Sequence, residues 1–544
     1  MKKQSFVFGA VLLSLSGILC KILGAIYKIP LANVLGTQGM GIYYLIFPIY
    51  AFLLTFVSNS FVVSISKSVS QSVAHNDNLR AYKIFKASLI LLLILGCLLS
   101  VVLCALSKII AKLQGVDNSY LCYIAISPAI ISVAISSAFK GFFQGLQNMR
   151  PSALSQIIDQ LFKLSIGFTL AKILSKKGIM YATLGALLGV TIAEIVTMTY
   201  FVIYYLYFKK RNKNFFTVNI KEQVQNQNNI ENKTNSNPKK KNKGLFKIMK
   251  EVLIGAFPFM LSSVILPMSL VIDSFLIINI LKSQGFEKVF ATGLLGINSG
   301  IVNTLINLPS TLSIAICMTI VPYITYSLSK RDFKSISQKV SLAIKLNFII
   351  SLPCVFVFAI YAPSIVRILY SMNSVYELQL AGSLLAISSI NVLYLSFLQI
   401  STSLLQAINK AYIPVVSLSI SLIFKIIFEI GLISIPSLNI AGAVISNAVC
   451  YFISTAINFY YFRKYINIKT NIVRSFLYPL FSSLIMSLTI YLSIKILQNF
   501  VSYLLCNLLS LFFGAVVYFI FLFLFKTFTQ EEKSSLFKFK SKRT

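Results

Sequence analysis

Residues 88–107 read SLILLLILGCLLSVVLCALS, twenty positions without a single charged side chain. As an α-helix this run is about 30 Å long, the thickness of the hydrocarbon core of a bilayer. A helix satisfies its own backbone groups, which is the condition for standing in lipid. Residues 500–525 form a second uncharged run. Outward from these two, the whole chain carries the same bias. Of 544 residues, 57% are hydrophobic and only 12% are charged, where a soluble chain has about 25% charged. The reading is an all-α polytopic membrane protein.

Apolar runs mark fourteen spans, near 6–30, 40–66, 84–107, 120–140, 152–174, 179–208, 250–281, 290–327, 342–370, 378–405, 411–433, 438–462, 472–496 and 500–526. An even count puts both termini on one face. That face holds Lys2, Lys3, Arg80, Lys83, Lys330, Arg331, Arg463, Lys464 and the tail KFKSKRT, while the other has chiefly Lys108, Lys112, Lys176, Lys177 and Lys288. The asymmetry predicts that both termini face the cytoplasm. The net charge of +35 thus belongs to loops and implies membrane lipids, not nucleic acid, as partners. The opening MKKQSFVFGAVLLSLSGILC imitates a signal peptide. Leu19, however, stands before Cys20 where a small residue is wanted, and the apolar run continues, so it reads as a retained first span.

Eight cysteines are scattered through apolar segments with no C-x-x-C, and the single histidine, His75, lies in the polar loop SVAHNDNLR. Neither zinc nor a disulfide framework is indicated, and no nucleophile–base pair or phosphate loop stands out. The expectation is a protein that is not an enzyme, with no cofactor and no metal.

The two halves resemble each other. FFQGLQNMRPSALSQIIDQLFK (142–163) aligns without gaps to LLQAINKAYIPVVSLSISLIFK (404–425), which sets Gln144 on Gln406 and Lys163 on Lys425. The turn prolines, Pro151 and Pro414, are one position out of step. LGALLG (184–189) answers AGAVIS (441–446) at a similar offset near 260 residues. The predicted organisation is an N-terminal six-helix lobe (1–208), a basic Asn/Lys-rich cytoplasmic linker (209–249), a C-terminal six-helix lobe (250–465), and helices 13 and 14 with a basic tail (466–544). Six spans being even, the lobes insert the same way up, related by a pseudo-two-fold axis along the membrane normal, with a substrate pathway between them.

Ionisable groups inside spans cost about 3 kcal/mol or more and usually mark a pathway. Lys345 and Arg367 fall near the ends of span 9, where they can snorkel, and Glu194 reads as an internal contact of span 6. Asp159–Lys163 and Lys425–Glu429 are i,i+4 pairs, which either neutralise themselves or line a cavity. Asp273, in MSLVIDSFLI, has no opposite charge within four residues and needs a partner from another helix or from water. Lys28 lies toward the outer end of span 1. Lys21 sits about 22 Å from the start of that span, too deep to snorkel, and a watery cavity explains it best. Gly17, Gly24 and Pro30 around it permit close packing or bending.

CKILGAIYKIPLANVLG (20–36), PIYAFLLTFVSNSFVVSISKSVSQ (48–71), KGFFQGLQNMRPSALSQIIDQLFKL (140–164) and INLPSTLSIAICMTIVPYIT (306–325) carry a family resemblance. The chain resembles the polysaccharide biosynthesis and export family of the multidrug/oligosaccharidyl-lipid/polysaccharide (MOP) flippase superfamily. It is nearest the branch of stage V sporulation protein B and MurJ-like lipid II flippases. The resemblance implies two six-helix lobes around a central cavity, headgroup-first movement of lipid-linked sugars by alternating access, and a terminal helix pair serving the polyprenyl tail. It also implies that Lys21 falls on a position where lipid II flippases carry a cavity cation for pyrophosphate. Two positions depart: Tyr27-Lys28 replaces an Arg-Asp pair, and Thr304 stands where those flippases have an arginine.

The expected function is therefore a flippase for a polyprenyl-pyrophosphate-linked saccharide or peptidoglycan precursor. Lys21, helped by Lys28, Lys163 and Lys425, would attract the anionic lipid-linked oligosaccharide, and Gln144, Asn307 and Tyr27 would meet its hydroxyls. A coupling ion, proton or Na⁺, is implied, and a monomer is consistent with this pattern. One alternative is a cation-coupled drug exporter using Asp273. The other is a non-transporting scaffold, against which the mid-depth Lys21 argues.

Overall fold

The computed structural model describes residues 6–212, 244–372, 374–466, 471 and 473–528. Most of the expected linker, Lys2, Lys3 and the basic tail lie outside the described residues. Every regular element described is helical: α1 (Phe6–Leu54), α2 (Asn59–Ala74), α3 (Asn78–Leu113), α4 (Tyr120–Gly145), α5 (Arg150–Phe162), α6 (Phe168–Leu174), α7 (Ile179–Arg211), α8 (Leu245–Ser283), α9 (Lys288–Leu295), α10 (Asn303–Ser329), α11 (Phe333–Leu369), α12 (Val375–Ala407), α13 (Tyr412–Ile433), α14 (Ala441–Tyr465), α15 (Tyr478–Leu497) and α16 (Tyr503–Leu524).

Among the described residues, twelve segments are long and apolar enough to cross a membrane. One of them, Leu15–Ala74, has 60 residues, about three times the length of one crossing. It is broken at Gly36, whose φ of 65° lies in the region that favours glycine. There the chain folds back. Lys28 Nζ lies 5.4 Å from the centroid of the Tyr44 ring, whereas sixteen residues of straight helix would separate the two by about 24 Å. This segment therefore crosses twice. A further crossing, α5 continued into α6 through a π turn at Lys163–Gly167, is more polar than these twelve because it carries Arg150, Asp159, Lys163 and Lys172. With these two, the crossings among the described residues number fourteen.

The internal repeat is visible in the backbone. After α4, Gln147 has a φ of 60° and Asn148 N bonds Phe143 O at 2.9 Å; after α12, Asn409 has a φ of 60° and Lys410 N bonds Leu405 O at 2.9 Å. These residues fall on one another in the sequence alignment. The turns into α3 and α11 match as well. Asp77 caps α3 by accepting from Arg80 N at 2.9 Å, and Asp332 caps α11 by accepting from Ser335 N at 3.0 Å. Each cap follows a left-handed residue, Asn76 or Arg331.

Helices α15 and α16 pack on α11. Tyr361 Oη donates to Ser487 O at 2.6 Å, and Tyr518 Oη to Ile349 O at 2.7 Å. Lys345 joins this seam. Expected to snorkel at a span end, it is instead 3% exposed and donates to Thr527 O at 3.2 Å, because the turn after α16 folds over it. Arg367 lies 4.5 Å from the Tyr503 ring, a cation–π contact at the start of α16.

The first helices meet the second group most tightly at the Gly36 end. A Cβ at Gly41 would collide with the Thr292 carbonyl, and one at Gly296 with the Thr37 carbonyl. Around this backbone contact Thr37 Oγ1 donates to Glu377 at 2.8 Å, Asn33 accepts from Ser371 N at 2.9 Å, and Gln114 donates to Ser274 at 3.0 Å. Toward the opposite end, α8 against α2 carries the contact, with Ser64 donating to Val252 O at 2.9 Å. In a background without the native cysteines, Thr37→Cys paired with Glu377→Cys is expected to cross-link readily. Adding Gly41→Ala is expected to cut the yield several-fold, because the methyl prises the two backbones apart. An unchanged yield on non-reducing gels would show that this contact is not the seal.

Candidate functional site

Below that seal, α1, the π turn that joins α5 to α6, α7, α10 and α12 enclose a cavity of about 420 Å³. Two glycines of α1 face α5: a Cβ at Gly24 would come within 3.3 Å of Gln160 Oε1, a tight approach, and one at Gly17 would make ordinary contact with Gln156 at 4.0 Å. Ser16 Oγ then donates to Gln156 at 3.1 Å. On α5 the residues Gln156, Asp159, Gln160 and Lys163 fall on one helical face, and this polar stripe points toward α1.

The two walls differ in charge. From α1, α5 and the π turn come Lys21, Lys28, Gln160 and Lys163; from α10 and α12 come Thr304, Asn307, Ser310, Thr311 and Gln399. Lys21 is exposed to the cavity and has no ion-pair partner among the described residues. Lys28 rests over the Tyr44 ring. Lys163 is already engaged, bonding Asp159 at 2.7 Å and Glu194 at 2.8 Å. Glu194, read as a contact within its own span, thus ties α7 to the end of α5. Tyr27 Oη on the α1 wall and Gln399 Oε1 on the α12 wall are buried without a hydrogen-bond partner among the described residues. The site can receive an anion on one side and neutral donors and acceptors on the other.

Of the residues expected from sequence, Lys21, Tyr27, Lys28, Lys163 and Asn307 gather at this cavity. Three others sit elsewhere. Gln144 is at the end of α4 and donates to Ser152 at 3.2 Å, closing the turn into α5. Lys425 is 2% exposed inside the second helix group and pairs with Asp273 at 2.6 Å. Asp273, expected to need a distant partner, finds it there, so it is not the unpaired carboxylate that the drug-exporter reading required. Sequence reasoning missed Gln160, Gln399, Ser310 and Thr311. The stripe on α5 signalled Gln160; uncharged polar residues in apolar helices gave no signal for the others.

Comparisons with known proteins agree with this architecture. The profile of the polysaccharide biosynthesis protein family matches residues 6–328. Stage V sporulation protein B of Bacillus subtilis (strain 168) is 24% identical over 375 residues, covering 69% of this chain and 68% of its own. The lipid II flippase MurJ of the same organism is 25% identical over 512 residues, covering 91% and 89%. A solved structure of a lipid II flippase MurJ in an inward closed conformation has the same fold, with a TM-score of 0.68 at 14% identity over 95% of this chain and 99% of that one. With its fourteen crossings, its repeated helix groups and a profile match over more than half its length, this multi-pass membrane chain belongs to the polysaccharide biosynthesis protein family.

Proposed function

We propose that this chain is a flippase that moves a polyprenyl-pyrophosphate-linked saccharide or peptidoglycan precursor across the bacterial cytoplasmic membrane by alternating access. The observation that carries the reading is the cavity between the two helix groups, with Lys21, which has no ion-pair partner among the described residues, on one wall and uncharged hydrogen-bonding groups on the other. A cation desolvated on its helix side but open to a watery cavity suits a pyrophosphate. Asn307, Gln399 and Thr311 suit sugar hydroxyls. The bonds around Thr37 and Glu377 would form the closed gate on one side of the cavity, and their exchange for contacts at the other end would turn the site over. Lys425 and Gln144, being outside the cavity, have no substrate contact in this reading.

We divide the chain as an N-terminal lobe 1–208, a linker 209–249, a C-terminal lobe 250–465, and a terminal pair with tail 466–544. Both termini face the cytoplasm, by the distribution of lysine and arginine. The lipid tail would remain in the membrane while the headgroup crosses, which a transporter acting without bond-making chemistry requires. The drug-exporter alternative is the less supported reading, since the carboxylates Asp159 and Glu194 beside the cavity both engage Lys163. Depleting the protein and extracting the lipids tests the proposal. One lipid-linked saccharide is expected to accumulate, protected from enzymes added outside intact spheroplasts. Unchanged lipid-linked pools on full depletion would refute it.

A further inference from the structure

The buried group of Asp273, Lys425 and Glu429 has one positive charge too few. Glu429 is 0% exposed, and neither of its carboxylate oxygens has a hydrogen-bond partner among the described residues. On α13 it lies one helical turn from Lys425, whose ammonium stands 2.6 Å from Asp273, so the two carboxyls belong to one buried group. Two carboxylates cannot bond each other, since both only accept; a proton between them supplies the missing donor. The one cation, Lys425, is committed, at 2.6 Å from Asp273 and donating to Ser269 Oγ at 2.8 Å. The remaining titratable groups nearby are Cys450 and Tyr451 on α14, both neutral in ordinary form, and neither adds positive charge.

The matching group in the first half is balanced. Lys163, the repeat partner of Lys425, holds Asp159 and Glu194 directly, and Lys140 on α4 supplies a second positive charge toward Glu194. That group also reaches the cavity through Lys163. The second is sealed inside α8, α13 and α14, where an uncompensated charge would be very costly.

We propose that Asp273, Lys425 and Glu429 form a single-proton site, with the proton held on Glu429 against Asp273, and that no alkali cation takes its place. An alkali ion needs several oxygens at once, and here the ammonium of Lys425 already stands against Asp273 as a tethered cation. A second cation would meet its repulsion, whereas a proton restores neutrality without needing room. The use of this proton as the coupling ion rests on the transport reading above; its presence does not.

The test uses the full-length protein purified in detergent, with no substrate. At neutral pH its infrared spectrum is expected to contain the carbonyl stretch of a protonated carboxyl shielded from water. Glu429→Gln removes that band, while Asp159→Asn and Glu194→Gln leave it. Thermal unfolding in sodium chloride and in choline chloride at equal ionic strength is expected to coincide. Glu429→Gln, which keeps the neutral shape of the acid, is expected to unfold near the parent temperature, and Asp273→Asn well below it. A spectrum that Glu429→Gln leaves unchanged, or a saturable upward shift of the parent by sodium, overturns the assignment. Either result leaves the flippase reading standing, because that reading is decided by lipid accumulation.

Discussion

Lys21→Glu is expected to abolish translocation while leaving the chain inserted and folded. Lys21 is exposed to the cavity and bonds no described acidic group, so its removal breaks no internal pair. On the proposed reading it loses a charge-assisted hydrogen bond to an anionic headgroup, about 1.5–3 kcal/mol, or roughly 10–100-fold in affinity. Lys21→Ala is expected to show that loss. Glutamate adds repulsion in a partly desolvated site and takes the effect to the limit of detection. Lys21→Arg keeps the charge and retains most function. Complementation of a flippase-deficient strain, with membrane levels checked by immunoblot, measures all three. Normal growth of both the alanine and the glutamate variant would remove Lys21 from the substrate path.

Lys425→Met is expected to be the most destabilising of the intramembrane substitutions, by about 3–5 kcal/mol, the range for removing one partner of a buried ion pair. The methionine fills the space, so the loss is electrostatic. Asp273 and Glu429 are left without a cation, at 6% and 0% exposure. Adding Asp273→Asn removes the stranded charge and is expected to recover much of the loss. Lys163→Met should cost less, because its side chain is 17% exposed and Lys140 remains nearby. Thermal unfolding in detergent of the four proteins orders them. Equal stability of Lys425→Met and the parent would mean that the pair contributes nothing to the fold.

The fourteen crossings and the repeat were legible because hydrophobic length and turn signals are local properties. A run such as 88–107 announces its environment by itself. The turn segments 142–163 and 404–425 carry the same left-handed residue before their second helix, at Gln147 and Asn409. The depth of Lys21 followed from counting residues along one helix, and a mid-depth charge without a neighbour on its own helix has few places to go.

Pairings between helices were a different matter. From sequence, Lys425 has Glu429 one turn away, and that i,i+4 spacing offers a self-contained pair. In the fold the nearer partner is Asp273, some 150 residues earlier, because α8 and α13 pack side by side. Glu194 likewise reaches Lys163 from another helix, and Lys345 bonds a turn 182 residues away. Gln144, which the repeat made prominent, closes a turn instead of facing the cavity. Hydrophobic burial in lipid is set residue by residue along each helix, so a membrane-embedded, internally repeated helical protein with a deep lysine can be read from the chain alone. Which charges meet emerges from the fold, because in a low-dielectric interior a charged group is settled by the nearest partner in space, and helix packing alone brings that partner near.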